Sequence, residues 1–139
     1  MAHRLALVLA LALAILPGPA RADFSMCGGP CPAGNHLVAR GCDFSCSINC
    51  PNTSTCSPNT GSSFAMCGGP CPAGYYSAGT GCDFSCSNFC NNQTFCNKVE
   101  GDSFAMCGGP CPAGYHSVGT GCSFTCSNFC NNQTFCQKN

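Results

Sequence analysis

The chain has 139 residues, of which 18 are cysteine, 17 are glycine and only 7% are charged, and its formal net charge is zero. Nucleic-acid binding requires a basic surface, and attack on anionic membranes requires clustered cations, so this composition argues against both functions. The cysteine density instead is typical of small extracellular proteins held together by disulfide bonds.

Residues 1–22 have the pattern of a secretory signal peptide. Arg4 supplies a positive start, residues 5–16 form an apolar run, and small residues at 20–22 place a cleavage site before Asp23. An apolar run of 12 residues is too short to cross a bilayer, which needs about 20. We therefore predict a secreted, extracellular chain without a membrane segment, whose mature part has a net charge of −2.

The mature part is a threefold repeat with a period of 40 residues. It divides into cysteine-rich modules at 23–56, 64–96 and 104–139, joined by polar linkers at 57–63 and 97–103. Each module has the spacing C-x3-C-x10-C-x3-C-x3-C-x5-C. The six cysteines of each module predict three internal disulfide bonds, in a connectivity that the sequence leaves open. They are Cys27, Cys31, Cys42, Cys46, Cys50 and Cys56; Cys67, Cys71, Cys82, Cys86, Cys90 and Cys96; and Cys107, Cys111, Cys122, Cys126, Cys130 and Cys136.

Metal binding is the alternative use of such thiols. Common zinc knuckles space their cysteines by two residues, whereas the closest spacing here is three, and an exported chain meets oxidising conditions. We therefore predict disulfides, with no metal and no cofactor. A module of about 33 residues is too short to be stabilised by a hydrophobic core alone, and three bridges supply the missing stability.

The predicted fold class is small and disulfide-rich, with three tandem modules made mostly of loops and turns. The first half of each module is rich in Gly-Gly-Pro and Pro-Ala-Gly, which are turn signals. The second half places cysteines at i, i+4 and i+8, as at Cys42, Cys46 and Cys50, which is the spacing along one face of a helix. The sequence therefore predicts a short helix there, and modules with limited mutual contact.

One polar motif recurs in register beside the cysteines. Asn52, Asn92 and Asn132 each begin an N-x-S/T acceptor sequence at the same place in their module. In an exported chain this motif predicts N-glycosylation of a surface loop.

No catalytic set recurs among the modules. His36 and His116 have Tyr76 as their counterpart in the middle module, and Asp43 and Asp83 become Ser123. Without a nucleophile and base, or a pair of carboxylates, we predict that the chain is no enzyme.

The aromatic residues are the remaining candidates for recognition. Phe at the module start and after the third cysteine is predicted to pack against the disulfides. The additional aromatics of the second and third modules exceed what so short a chain buries, which predicts an exposed contact surface. Its candidate residues are Tyr75, Tyr115, Phe95 and Phe135.

Two short stretches resemble known families. Residues 71–77, Cys-Pro-Ala-Gly-Tyr-Tyr-Ser, resemble segments of receptor and matrix cysteine-rich modules, although the later cysteine spacing does not continue the match. The C-x3-C-x10-C-x3-C frame is similar to that of plant helical-hairpin inhibitors. Those proteins need two helices, and the Gly-Gly-Pro-Cys-Pro segment of this chain would prevent the first helix from forming. Neither resemblance assigns the chain to a family.

Two functional classes stay open. Tandem rigid modules of low charge favour a structural or adhesive component of an extracellular matrix, wall or secretion, binding extracellular protein or carbohydrate and associating with itself. The alternative is a soluble multi-headed protease inhibitor or defence effector, with residues 35–40, 75–80 and 115–120 as reactive loops. Arg40 would suit a trypsin-like pocket, but Thr80 and Thr120 replace it, so the first class is preferred.

Overall fold

The computed structural model describes residues 22–139, so the predicted signal peptide lies outside the described residues except for Ala22. Each module folds into one antiparallel sheet of three strands, in which the last strand lies between the other two. The nine strands are β1 (Phe24–Cys27), β2 (Asn35–Gly41), β3 (Thr53–Pro58), β4 (Ser63–Cys67), β5 (Tyr75–Gly81), β6 (Gln93–Lys98), β7 (Ser103–Cys107), β8 (Tyr115–Gly121) and β9 (Gln133–Lys138).

The sheet register is the same in all three modules. The opening Phe of each module lies opposite its last cysteine, as in the pairs Phe24 with Cys56 and Phe64 with Cys96. The second strand carries one extra residue, a β-bulge, at Val38, Ala78 or Val118. Because a bulge bends its strand and increases the local twist, all three second strands curve in the same way.

The core of each sheet is made of sulfur rather than of large apolar side chains. The last cysteines, Cys56, Cys96 and Cys136, are buried, and each forms a disulfide with the second cysteine of its module. The first cysteine pairs with the fourth and the third with the fifth, so all 18 are bonded within their own modules. The predicted disulfide bonding is confirmed, and nine such bonds indicate an oxidising environment.

The predicted helix is wrong. Between the third and fifth cysteines the chain makes a single turn, in which the amides of Cys46 and Ser47 both donate to the Asp43 carbonyl. Two cysteines eight residues apart in a helix would have Cα atoms about 12 Å apart. The Cα atoms of Cys42 and Cys50 are 5.3 Å apart, so their disulfide folds this segment back on itself as a closed loop. No residue from 22 to 139 is in a helix.

The three-stranded sheets were not predicted, because the half-polar, glycine-containing segments that form the strands have the composition of loops and turns. The third strand of each of the first two modules extends into the predicted linker: β3 ends at Pro58 and β6 ends at Lys98. The following strands begin at Ser63 and Ser103, so only a few residues separate neighbouring sheets.

The modules pack against each other, which contradicts the expected limited contact. The ring of His36 stacks on that of Phe64, with centroids 3.9 Å apart and planes 13° apart. Tyr76 stacks in the same way on Phe104, at 4.2 Å and 14°. Strand β4 therefore lies against β2, and β7 lies against β5, so the same junction occurs twice.

Candidate functional site

The most exposed apolar side chains lie on the loop closed by the third and fifth cysteines of each module. We call this segment the apolar loop; it covers residues 43–49, 83–89 and 123–129. Two apolar side chains in each loop are 78–84% exposed. They are Phe44 and Ile48, Phe84 and Phe89, and Phe124 and Phe129. The expectation that the Phe after the third cysteine packs against the disulfides is therefore wrong.

Each apolar loop is held in shape by hydrogen bonds rather than by packing. In the second module the Asn92 amide nitrogen donates to the carbonyls of Asp83 and Ser87, both at 2.8 Å, and its side-chain oxygen accepts from the Asp83 amide at 2.8 Å. Asn52 and Asn132 make the same three bonds. We call this arrangement the asparagine clamp. It joins the first and fifth residues of the loop to one side chain, so the loop stays ordered without a core of its own.

The clamp uses the asparagines of the predicted glycosylation motifs. The hydroxyl of the same motif is also engaged: Thr94 and Thr134 donate to the carbonyls of Gly69 and Gly109 at 3.1 Å, and Ser54 donates to Gly29. These hydroxyl-bearing residues are buried. A glycan would replace one N–H of an amide group that now donates to two carbonyls, so glycosylation and the complete clamp compete for one nitrogen.

An aspartate begins the apolar loop in the first two modules. The hydroxyl and the amide of Ser85 both donate to the Asp83 carboxylate, at 2.7 and 2.8 Å, and these bonds lower the pKa of Asp83. Hydrogen bonds from the Ser45 side chain and amide lower the pKa of Asp43 in the same way. In the third module the hydroxyls of Ser123 and Thr125 form a hydrogen bond of 2.7 Å, so a neutral pair replaces the aspartate and serine of the first two modules.

The residues predicted as a contact surface lie in two different environments. Tyr75 and Tyr115 pack against the opening Phe of their own modules, with ring centroids 4.7 and 4.9 Å apart, and their hydroxyls donate to backbone carbonyls. Phe95 and Phe135 are about two-fifths exposed on the middle strands. These four residues lie on strands, outside the apolar loops. The apolar loops were not predicted from the sequence as a contact surface.

Phe95 has a structural partner in the neighbouring strand. A Cβ placed on Gly81 would lie 2.9 Å from the Phe95 ring, so the ring fills the space that a larger residue would need. Gly121 and Phe135 repeat this arrangement. Such an aromatic ring covering a cross-strand glycine stabilises the sheet.

The segments considered as inhibitor loops are strands rather than loops. Residues 35–40 and 75–80 lie in β2 and β5, and the next module covers both. The backbone amide of Arg40 donates to the Ser85 carbonyl at 2.8 Å. A protease-binding loop must be extended and free on its outer side, which these two strands are not.

Chemistry-bearing clusters are sparse in the described part of the chain. Among residues 22–139 no group of three or more His, Cys, Asp or Glu side chains could hold a metal ion. The same residues include no helix long and apolar enough to cross a membrane. Comparisons with protein-family models, curated protein sequences and solved structures found no match.

Proposed function

We propose that this chain is a secreted structural or adhesive component of an extracellular matrix, wall or secretion. The observation that carries the proposal is the repeated apolar loop, which presents two almost fully exposed apolar side chains in each module. Most soluble proteins scatter such side chains singly, whereas repeated exposed pairs are typical of contact surfaces. The expected partners are apolar patches or sugar faces on extracellular protein or carbohydrate.

The rigidity of the loop supports a binding role. A disulfide joins the third and fifth cysteines in each module, and the asparagine clamp fixes the backbone between them. A loop that is ordered before binding loses little conformational entropy when it binds. Three such loops on one chain can bind a repetitive surface together, which raises the overall affinity well above that of one loop.

Secretion and glycosylation belong to this proposal as predictions. The signal pattern at 1–22 supports export, and the nine disulfides fit the oxidising environment that export leads to. The intact mass of the purified chain, measured before and after enzymatic glycan removal, determines directly whether Asn52, Asn92 and Asn132 carry glycans.

The test is retention of the chain on insoluble extracellular material from its native source. A variant with all six apolar-loop side chains changed to Ser is compared with wild type in a sedimentation assay. We expect the sixfold variant to lose about 100-fold or more in apparent affinity, because several weak contacts are removed together. The variant should fold, since the six side chains are exposed and the disulfides and clamps are kept.

A matched control distinguishes the two aromatic surfaces. Changing Phe95 and Phe135 to Thr, the residue of module 1 at this position, removes both phenylalanines of the sequence-predicted surface and leaves the apolar loops unchanged. We expect this control to be retained like wild type. A wild-type chain that washes out freely and inhibits a protease stoichiometrically would refute the structural role and favour the soluble effector.

A further inference from the structure

The two junctions between modules use equivalent residues on each side. In the first, the amide of Arg40 donates to the carbonyl of Ser85 at 2.8 Å; in the second, the amide of Thr80 donates to that of Thr125 at 2.7 Å. The stacked ring pairs described above repeat with the same 40-residue period. Both junctions therefore join one surface of a module to a second, different surface of the module that follows it.

These two surfaces can be defined by residue. The back surface is residues 36–40, 76–80 or 116–120 on the second strand. The front surface is the opening Phe together with the start of the apolar loop. It comprises Phe24 with 43–45, Phe64 with 83–85, and Phe104 with 123–125. Each internal junction joins the back surface of one module to the front surface of the next.

The few differences between the second and third modules fall on these surfaces. From the opening Phe to the last cysteine these modules differ at four positions only. Two of the differences replace back-surface residues of the second module, Tyr76 and Ala78, by His116 and Val118. Both replacements restore the residues of the first module, His36 and Val38. At these two positions the back surface of module 3 matches the one that already binds a front surface containing Asp-Phe-Ser, whereas Ser117, Gly119 and Thr120 match module 2.

The matching front surface is present on module 1. Residues 43–45 are Asp-Phe-Ser, identical to residues 83–85, which the back surface of module 1 contacts. In the internal junction the Ser85 carbonyl accepts from the Arg40 amide, and the Ser85 hydroxyl lies 3.5 Å from the Val38 carbonyl. A back surface with His and Val and a front surface with Phe and Asp-Phe-Ser therefore exist at opposite ends of one chain.

Both end surfaces are exposed. All five back-surface residues of β8 are exposed, including Val118 at 56%, whereas all the equivalent residues in β2 and β5 except Arg40 are buried or half-buried. Phe24 is 39% exposed on β1. The ring of His116 is held by Asn139 at 2.9 Å in the way that Asn59 holds His36. The exposed histidine is thus already oriented for stacking.

We propose that the chain assembles head to tail, with the back surface of module 3 bound to the front surface of module 1 in a second copy. His116 stacks on Phe24, and the Thr120 amide donates to the Ser45 carbonyl, as their equivalents do inside the chain. Because this contact uses two different surfaces and continues the internal stack, it produces an open filament rather than a closed dimer. The inference rests on the proposed structural role and names a second copy of this chain as partner.

Gly119 allows a selective block of the assembly. At the equivalent Gly79 a Cβ would lie 3.3 Å from the Thr125 carbonyl oxygen, inside the junction. At Gly119 the nearest atom to such a Cβ is in the Phe135 ring, at 3.8 Å, so a side chain has room in the single chain. Gly119→Glu should therefore fold normally and place a carboxylate against the Ser45 carbonyl of the next copy. Ala113→Glu adds the same charge in a turn that is exposed in all three modules.

The experiment measures the mass of the secreted, purified chain by sedimentation and light scattering over a range of concentrations, with electron microscopy of the largest species. We expect wild type and Ala113→Glu to form linear oligomers that grow with concentration. Gly119→Glu should weaken association by about tenfold or more. Phe24→Ala removes the ring at the opposite end, so mixing it with Gly119→Glu should give dimers capped at both ends and nothing longer.

The outcomes separate this inference from the proposed function. A wild-type chain that stays monomeric at every concentration refutes the assembly, as does Gly119→Glu assembling as well as Ala113→Glu. If such a monomeric chain is still retained on extracellular material, the adhesive role stands and only the head-to-tail contact fails. If wild type forms filaments but the sixfold apolar-loop variant is retained as well as wild type, the loop-based role fails and the contact stands.

Discussion

A single amide side chain holds each apolar loop in a module that has almost no apolar core. The Asn92 side chain satisfies the amide of Asp83 and the carbonyls of Asp83 and Ser87. These groups lie between the third and fifth cysteines, in a segment that belongs to no strand. The recurring asparagine therefore has a structural reason that does not depend on glycosylation.

Asn92→Asp tests the asparagine clamp by replacing the donating side-chain nitrogen with an oxygen. The aspartate keeps the acceptor for the Asp83 amide but places an oxygen against two carbonyls, so we expect a local destabilisation of about 1–3 kcal/mol. Amide exchange at Asp83 and Cys86 measures it. Asn91→Asp is the matched control, because Asn91 is exposed and its φ of 60° is a conformation that Asp tolerates. Equal exchange rates in both variants would contradict the clamp.

The closed loop explains which parts of the fold could be predicted from the sequence. The repeat, the module length and the bonding of all cysteines follow from spacing and compartment alone. The spacing of Cys42, Cys46 and Cys50 predicts a helix face only if each of the three forms a disulfide with a cysteine outside this segment. Because Cys42 instead binds Cys50, the same spacing gives a loop, and connectivity is the information that spacing lacks.

The strands and the exposed loops could not be predicted from the sequence for a related reason. Segments such as residues 75–81 contain glycine and polar residues, and they form strands because a disulfide and an aromatic ring hold them to the next strand. Phe84 looked like a core residue because Phe is usually buried. The buried positions of this fold are taken by cysteines such as Cys96, which leaves Phe84 outside.

Removing one disulfide at a time should distinguish the contribution of the loop to the free energy of unfolding from that of the sheet. The Cys122–Cys130 bond closes 8 residues between exposed cysteines, whereas Cys111–Cys136 closes 25 and includes a buried cysteine. From chain entropy alone we expect losses of about 2.5 and about 3.5 kcal/mol, respectively, and the second variant also loses its core contact. Paired Cys→Ala variants are compared by guanidinium unfolding. A loss for Cys122/Cys130 equal to or above that for Cys111/Cys136 would contradict this order.

The same pair of variants connects stability with binding. Without Cys122–Cys130 we expect the β9 amides to stay protected, while the apolar loop becomes mobile and binds less well. Opening of the sheet together with the loop would instead show that the two are one cooperative unit.

At the scale of the whole molecule the chain is a short solenoid rather than three independent beads. Within residues 22–139 the strands of each module contact only those of its neighbours in sequence, through one kind of junction. In such an array stability is the sum of module and junction contributions. A change confined to a junction should therefore alter the neighbouring modules and leave the fold of each module unchanged.

Gly79→Val tests this independence inside the chain. Its Cβ would lie 3.3 Å from the Thr125 carbonyl oxygen and 3.4 Å from the Thr125 Cβ, and overpacking of this kind costs about 1–3 kcal/mol. We expect faster exchange of the Thr80 amide, which donates across the junction, and a larger radius of gyration by X-ray scattering. Gly119→Val makes the same change where the surface is open, so in the monomer it should alter neither quantity. If Gly79→Val leaves Thr80 protected, the modules are held together by something other than this junction, and the contact inferred between copies loses its internal template.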